Sequence, residues 1–412
     1  MHGITSYVFL VTIAFSIISF SYYLINSISS LKLKDNKKRI ENYTYQDVTI
    51  MVPVYNENEK IFRNCIKSLA SQKSKLLVIG DSSLEPYKTI TEEYGGNFIH
   101  QHEHKGKRGT ISNGMLHVKT KFVMFVDSDT SVPDGAVTSM LSKFENNVGG
   151  VGTAVSAEIK KSSRISYCSE FFEKLKEVMF RSMLMYGSVM VLDGRCAMYR
   201  TDLVKDFMLS DTYINNRIFG RKSILAEDRH LTSYIINSGY KAVIDYNVTV
   251  VTVPQKNLKL MFKQMVRWSR AGYFYFFNEL FNGAYFKRGI FYSFEMTYMY
   301  LFPIALIFLG LMRLNLIFMH GIGNYIAFEA RHTVSLLSLN FAALGHNFFL
   351  YTMVQALVIL GLALFGIAIA SRIAKGRKLR TLVYGIATLL MMLVASMYGL
   401  FTIWKQNEWM TR

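Results

Sequence analysis

Two aspartates two residues apart, Asp127 and Asp129, follow the apolar run Phe122–Val126. Carboxylates at the end of a strand suit an oxygen-ligated Mg²⁺ or Mn²⁺ that also grips a diphosphate. The metal would neutralise charge building on a departing diphosphate. An Asp-x-Asp also occurs in solvated turns, and the strand ahead of it favours the ligand reading. Lys105-Gly-Lys-Arg-Gly109 is a glycine-flanked basic loop, either solvated or able to close on phosphates through charge and backbone N–H groups. His100, His102 and His104 alternate beside it, but no Cys or His partner set completes a metal site. Ala226-Glu-Asp-Arg-His-Leu231 opens a helical pattern that runs to Ser238, with Gly239 as a stop. A carboxylate there serves as a cap or as a general base held at a site mouth. Gln264, Arg267 and Trp268 share one helical face. Arg267 suits a phosphate and Trp268 a sugar face, and an Arg-Trp pair also anchors helices at a membrane surface.

The elements that must position these residues alternate. Val48–Val54 is a β-branched strand ending in a Pro/Asn turn, and a helical pattern succeeds it over Lys60–Ser71. Leu76–Ile79 is a second strand ending at Asp81, and Phe122–Val126 a third. Short strands alternating with helices predict an α/β domain with a largely parallel sheet. Ligands bind beyond the carboxyl ends of strands in such sheets, where Tyr55, Glu57, Asp81, Asp127 and Asp129 all fall.

Of 412 residues 51% are hydrophobic, which suits a mixed soluble and membrane protein. The net charge of +18 fits an anionic membrane surface or anionic substrates. With no basic recognition helix and no zinc spacing, nucleic acid is not an expected partner. Cys65, Cys168 and Cys196 lack CxxC spacing and read as structural thiols. Tyr7–Ile28 is long and apolar enough to span a bilayer, and the basic residues from Lys32 to Arg39 place the next stretch of chain in the cytoplasm. Membrane signals resume at Tyr298–Phe318, Phe348–Ala370 and Leu382–Ile403, with a basic, cytoplasmic loop at 371–380. Residues 166–186 and 258–286 read as interfacial amphipathic helices, or as ordinary core helices. The expected layout is a membrane helix over 1–31, a cytoplasmic catalytic domain over 32–255, and an interfacial helix over 256–290. A membrane and channel region over 291–405 and a terminal segment over 406–412 complete it. That layout makes this a multi-pass protein of the cell membrane, in contact with its lipids.

Taken together and in order, VPVYNE, the Asp after the second strand, KGKR, DSD, EDRHLT and QMVRW resemble the family 2 processive glycosyltransferases with a GT-A catalytic domain. Cellulose, chitin and hyaluronan synthases belong to that group. VDSDT, DRHLT, the MYR at 198–200 and the ending LFTI…W-x-T-R resemble its hyaluronan synthase branch most. The resemblance implies UDP-sugar donors, a growing polysaccharide or oligosaccharide acceptor and a divalent metal. It implies that Tyr55, Glu57 and Asp81 hold uridine and that Lys107 and Arg108 contact the diphosphate or sugar. Asp127 and Asp129 would hold nucleotide and metal, and Asp228 would be the base. Gln264, Arg267 and Trp268 would bind diphosphate and acceptor, and Trp409 and Arg412 would gate the site.

The pattern departs from the family in several places. Gly80-Asp-Ser-Ser replaces Asp-Asp-Gly-Ser, and Ala226-Glu-Asp-Arg replaces Gly-Asp-Asp-Arg. Asp193-Gly-Arg195 replaces Ser-Gly-Pro, and Trp409-Met-Thr-Arg replaces Trp-Gly-Thr-Arg. Arg195, on the acceptor side, either pairs with a uronic acid carboxylate or marks a different polymer. The competing expectations are a chitin-like homopolymer synthase, a non-processive transferase acting on a lipid-linked sugar, and a transporter or receptor without catalysis. Glu295, Arg313, Asn347 and Gln355 are expected to line a polar path, since charge inside a bilayer is costly without a use. If the terminal segment gates a cytoplasmic site, Leu382–Ile403 must bend back or lie partly in the interface, with Gly385, Ser396 and Gly399 as weak points for a bend; the alternative is a fourth span with an inert external tail.

Overall fold

The computed structural model describes residues 2–33, 43–160, 162–218, 220–321 and 346–406. Trp409 and Arg412 lie outside the described residues, as do the side chains of Arg313 and Asn347.

An eight-stranded sheet organises the α/β domain. Its strands are β1 (Val48–Val54), β2 (Lys75–Asp81), β3 (Asn97–Gln101), β4 (Phe122–Val126), β5 (Thr130–Ser131), β6 (Val148–Ala157) and β7 (Cys196–Arg200). The eighth, Lys241–Thr252, is β10, numbered after the short ribbon β8 (Arg217–Ile218) and β9 (Arg221–Lys222). The order is β3-β2-β1-β4-β7-β6-β10-β5. The half holding β3, β2, β1 and β4 is parallel, as the alternation predicts. The other half is mixed: β7 runs antiparallel to both β4 and β6, so the sheet is not largely parallel throughout. The reason is local. Cys196–Arg200 returns from the helical excursion beside the end of β4 and pairs there directly, Val126 opposite Cys196.

Side-chain alternation divides the core. Ile50, Val52, Met124 and Val126 face one layer, while Met51, Ile79, Val123 and Phe125 face the other. The first layer is closed by α2 (Glu59–Ala70), whose Phe62, Cys65, Ile66 and Leu69 form a buried stripe. Asn58 caps that helix, accepting the Ile61 N–H at 3.2 Å. The further helices up to that point are α1 (His2–Lys32), α3 (Tyr87–Glu93), α4 (Gly106–Met115), α5 (Ala136–Leu141) and α6 (Arg164–Met185). After them come α7 (Thr201–Leu209), α8 (Asp211–Ile214), α9 (Glu227–Asn237), α10 (Leu258–Phe281), α11 (Ala284–Lys287) and α12 (Ile290–His320). Helices α13 (His346–Ser371) and α14 (Lys378–Leu400) end the chain.

Among the described residues, four helical stretches are long and apolar enough to cross a membrane: Val11–Lys32, Ile290–Met312, Met353–Ser371 and Lys375–Leu400. Helix α1 packs along α13 and α6. Helix α6 is therefore covered on several sides, and Glu170, Glu173 and Lys174 are buried in it. Its amphipathic sequence serves packing against the sheet and against α1 and α14.

The expected bend in the last segment is absent, and α14 is continuous through Gly385 and Ser396. The small residues are contact points instead. A side chain at Gly385 would strike Phe171 of α6, and one at Gly399 would strike Ser269 of α10. The helix lies along α6 and α10 from end to end. Thr388 faces Cys168, Tyr273 bonds Ser396 at 2.9 Å, and Arg270 donates to Thr402 Oγ1 at 2.9 Å. Beyond it, Arg270 donates to the Lys405 carbonyl and the Ile224 N–H donates to that of Gln406. The chain thus ends its described course beside the loop that leads into α9.

Candidate active site

Lys107 joins the two acidic motifs. It lies on the first turn of α4, and its Nζ is 2.6 Å from Asp127 at the end of β4 and 2.8 Å from Glu227 at the start of α9. That bridge brings the Asp-x-Asp and the Glu-Asp pair into one cleft beyond the sheet's carboxyl edge. Burial disfavours its charge, but Asp127 and Glu227 hold the ammonium well above its ordinary value. Burial likewise opposes the Glu227 carboxylate, and Lys107 overrides it and keeps the group below its usual range. Asp127 goes the other way, raised by burial and by repulsion from Asp129 and Glu227 that Lys107 only partly offsets.

Asp228 is oriented by the backbone. Its Oδ2 accepts the Gly194 N–H at 3.2 Å and its Oδ1 accepts the Arg229 N–H at 2.7 Å. Gly194 is tightly placed: a Cβ there would lie 3.0 Å from Lys107 Nζ and 3.4 Å from Asp228 Oδ2. Burial first, then Glu227, pushes the Asp228 carboxyl up to about 6. A carboxylate so tuned accepts a proton near neutral pH. If it is the base, kcat/KM rises with pH through about 6 and levels off above it, because only the ionised form takes a proton. A pH–rate profile flat from acid to neutral contradicts this.

Ala226, immediately before, has a φ of 53° and a ψ of 49°, the left-handed region. An L side chain there costs about 1–2 kcal/mol, which accounts for glycine in the related Gly-Asp-Asp-Arg motif. Ala226→Gly is expected to stabilise the protein by roughly 0.5–1 kcal/mol after the extra entropy of the unfolded glycine is subtracted. A thermal midpoint below wild type would contradict that.

Arg108 departs from its expected place. Its guanidinium is buried and donates to the Tyr213 and Leu225 carbonyls, with His230 Nδ1 at 3.0 Å. It braces the loop ahead of α9. Arg195 departs as well. It is 2.8 Å from Glu173 and 2.5 Å from Asp193, which Lys176 also meets at 2.6 Å. Burial opposes the Asp193 carboxylate, yet Arg195 and Lys176 hold it well below its ordinary value. Arg195 therefore does not present an uncommitted cation to an acceptor carboxylate.

At the other end of the cleft, Asp81 is buried and fully engaged. It accepts Gln101 Nε2 and the Lys105 N–H, both at 2.8 Å, and His104 Nδ1 stands 2.9 Å away. The His104 ring lies 4.3 Å from that of Tyr55. Glu57 accepts the Ser128 hydroxyl at 3.2 Å, tying β1's end to the Asp-x-Asp loop. The histidine alternation thus hid a member of this corner: the signal was His104's position right after β3, not metal-ligand spacing. Trp268 stacks on Phe172, centroids 5.0 Å apart, and Lys176 lies over the other end of that wall. Gln264, Arg267 and Trp268 are half-buried on α10, whose Tyr275 feels the charge of Asp228.

Asp127 and Asp129 fit a hard divalent cation by donor chemistry, and the repulsion between them is the strain a cation would relieve. Among the described residues no group of three or more His, Cys, Asp or Glu gathers as a ligand set. The protein would supply two carboxylates, leaving substrate phosphate and water to complete the shell, the usual situation for Mg²⁺.

A sequence profile described as glycosyltransferase like family 2 matches residues 46–271. An N-acetylglucosaminyltransferase of Azorhizobium caulinodans is 26% identical over 246 residues, covering 55% of this chain and 59% of that protein. One of Mesorhizobium japonicum is 27% identical over 247 residues, covering 55% and 56%. The match spans little more than half the length of these relatives. A mannosyltransferase of Pyrobaculum calidifontis, solved with GDP-Man and Mn²⁺, superposes with a TM-score of 0.57 at 17% identity. It covers 86% of this chain and 98% of that one, a likeness of fold.

Proposed function

The chain belongs to the glycosyltransferase like family 2, and from that membership we propose that it is a membrane-integrated, inverting transferase that builds a polysaccharide from UDP-sugars, with UDP-N-acetylglucosamine as a donor. The observation that carries this reading is the Lys107 bridge, which gathers Asp127 and the Glu227–Asp228 pair in one cleft. Tyr55, Glu57 and Asp81 would hold uridine, with His104 beside them. Asp127 and Asp129 would hold Mg²⁺ or Mn²⁺, which when bound neutralises negative charge on the leaving diphosphate.

Asp228 takes the proton of the acceptor hydroxyl, and the freed oxygen attacks the anomeric carbon as the bond to the diphosphate breaks. Gly194 keeps the carboxylate aimed while this happens. Lys107 exchanges a carboxylate partner for diphosphate oxygens, and Arg267 adds a second cation from α10. A single displacement inverts the anomeric centre, as in the inverting glycosidase geometry. Trp268 forms the sugar platform, so Trp268→Ala should raise the acceptor KM far more than the donor KM. Equal effects on both would return the residue to a packing role.

Both polymer readings use UDP-N-acetylglucosamine, and they differ in the second donor. The hyaluronan-like motifs favour UDP-glucuronic acid as that partner. The pairing of Arg195 with Glu173 and Asp193 favours a single-sugar, chitin-like product, because a uronic acid gains no ready counter-charge. The catalytic domain would face the cytoplasm, where UDP-sugars are made available to it. The chain would leave along the seam where Asn26 donates to Glu295 at 2.5 Å and Gln355 to Ser16 at 3.2 Å. Purified protein supplied with UDP-N-acetylglucosamine, UDP-glucuronic acid or both, with product size measured, separates the readings. Polymer from the first donor alone supports the chitin-like product; polymer only from both supports the hyaluronan-like one. A single sugar added to lipid contradicts both.

A further inference from the structure

The first turns of α6 and α14 flank an open, solvent-facing pocket of about 310 Å³. Arg164 and Arg380, one from each helix, both line it. Neither has a carboxylate partner among the described residues, although most cations on α6 do. Both side chains are exposed, so solvent screens their repulsion, and an anion held between the two guanidinium groups would be attracted by both. Tyr167 and Tyr384, stacked with centroids 5.8 Å apart, add two further walls.

The cavity opens onto an apolar track. Leu379 and Val383 line its edge and are 77% and 56% exposed. Ile386, Leu390 and Val394 continue the same face of α14, all exposed. Residues at these intervals form one stripe along a helix. From Leu379 to Val394 the stripe runs roughly 22 Å, the reach of an acyl chain. Exposed Lys375 and Arg377 flank the mouth and add positive charge.

We propose that this cavity is a binding site for an anionic glycerophospholipid, the phosphate held between Arg164 and Arg380 and one acyl chain lying along Leu379–Val394. A free phosphate would satisfy the arginines but leave the track bare. A zwitterionic lipid would cover the track but bring its own cation to the arginines. The site also bears on the cleft through packing. Ala395 of α14 shares a buried cluster with Met261, Met265 and Val266 of α10, the helix that carries Gln264, Arg267 and Trp268.

The test uses the full chain purified in detergent, with thermal unfolding followed after adding phosphatidylglycerol, phosphatidylcholine of the same acyl chains, or inorganic phosphate. Phosphatidylglycerol is expected to raise the midpoint by roughly 3 °C or more near saturation, and the other two by clearly less. The shift should vanish in the Arg164→Gln/Arg380→Gln double variant and persist in Lys60→Gln/Lys67→Gln, which loses equal charge from the surface of α2. An equal shift with phosphatidylcholine would mean an apolar effect alone, and one with inorganic phosphate a free-anion site. Either result overturns the proposal, as does an undiminished shift in the double arginine variant. Should that variant fail to fold, native mass spectrometry of wild-type protein released from mixed-lipid nanodiscs decides. Retained phosphatidylglycerol in excess of its share of the bilayer supports the site, and retention in proportion to that share overturns it.

Discussion

Asp228→Asn should lower turnover by about a hundred- to ten-thousand-fold, the usual contribution of a positioned base, while UDP-sugar binding stays near wild type. The asparagine keeps the volume, and its one amide oxygen can still accept one of the two N–H groups, Gly194 or Arg229, that now bind separate carboxylate oxygens. What it lacks is the ability to take a proton. The acid limb near pH 6 should disappear from the residual activity, because the group that produces it is gone. Binding measured by titration with UDP, beside single-turnover transfer, separates the two effects. Parallel loss of UDP affinity and transfer would make Asp228 a cap of α9 and not a base.

Asp129→Ala should be nearly as damaging. Removing one of the two mutually repelling carboxylates at the end of β4 leaves Asp127 alone, and Asp127 is already bridged to Lys107. A lone carboxylate shared with an ammonium is a poor divalent site. Turnover should fall roughly a hundred- to a thousand-fold, the effect of losing several kcal/mol of charge stabilisation on the leaving group. UDP should still bind in part without metal, through the Tyr55 corner. A chelator should reproduce the defect in wild type and change little in the variant. Full wild-type turnover in chelator would remove the metal from the account.

Much of this site is legible in the sequence because strand ends are. An apolar run followed by two nearby aspartates marks where β4 stops and where the Asp-x-Asp loop begins. The α/β domain, the four apolar helices and the boundaries of α9 are set by similarly local signals. The two cations of KGKRG show the limit. Lys107 and Arg108 are adjacent and chemically alike, yet consecutive helical positions point about 100° apart. One faces the cleft and the other the interior, and only the carbonyls waiting at Tyr213 and Leu225 decide which. The ion pairs of Arg195 are hidden for another reason. Its partner Glu173 comes from a helix in an earlier part of the chain, and no spacing rule pairs them. The straight course of α14 was hidden too, because hydropathy records that a helix is apolar and not which neighbour covers it. The glycines that read as weak points are where Phe171 and Ser269 come close.

The most direct measurement of the central claim is the ratio of UDP released to sugar incorporated, taken with purified protein, UDP-N-acetylglucosamine together with UDP-glucuronic acid, and Mn²⁺ or Mg²⁺. A transferase working through Asp228 on an acceptor hydroxyl should release one UDP for each sugar joined in an inverted linkage. UDP released without any sugar incorporated, or no UDP released from a UDP-sugar that demonstrably binds, would contradict it.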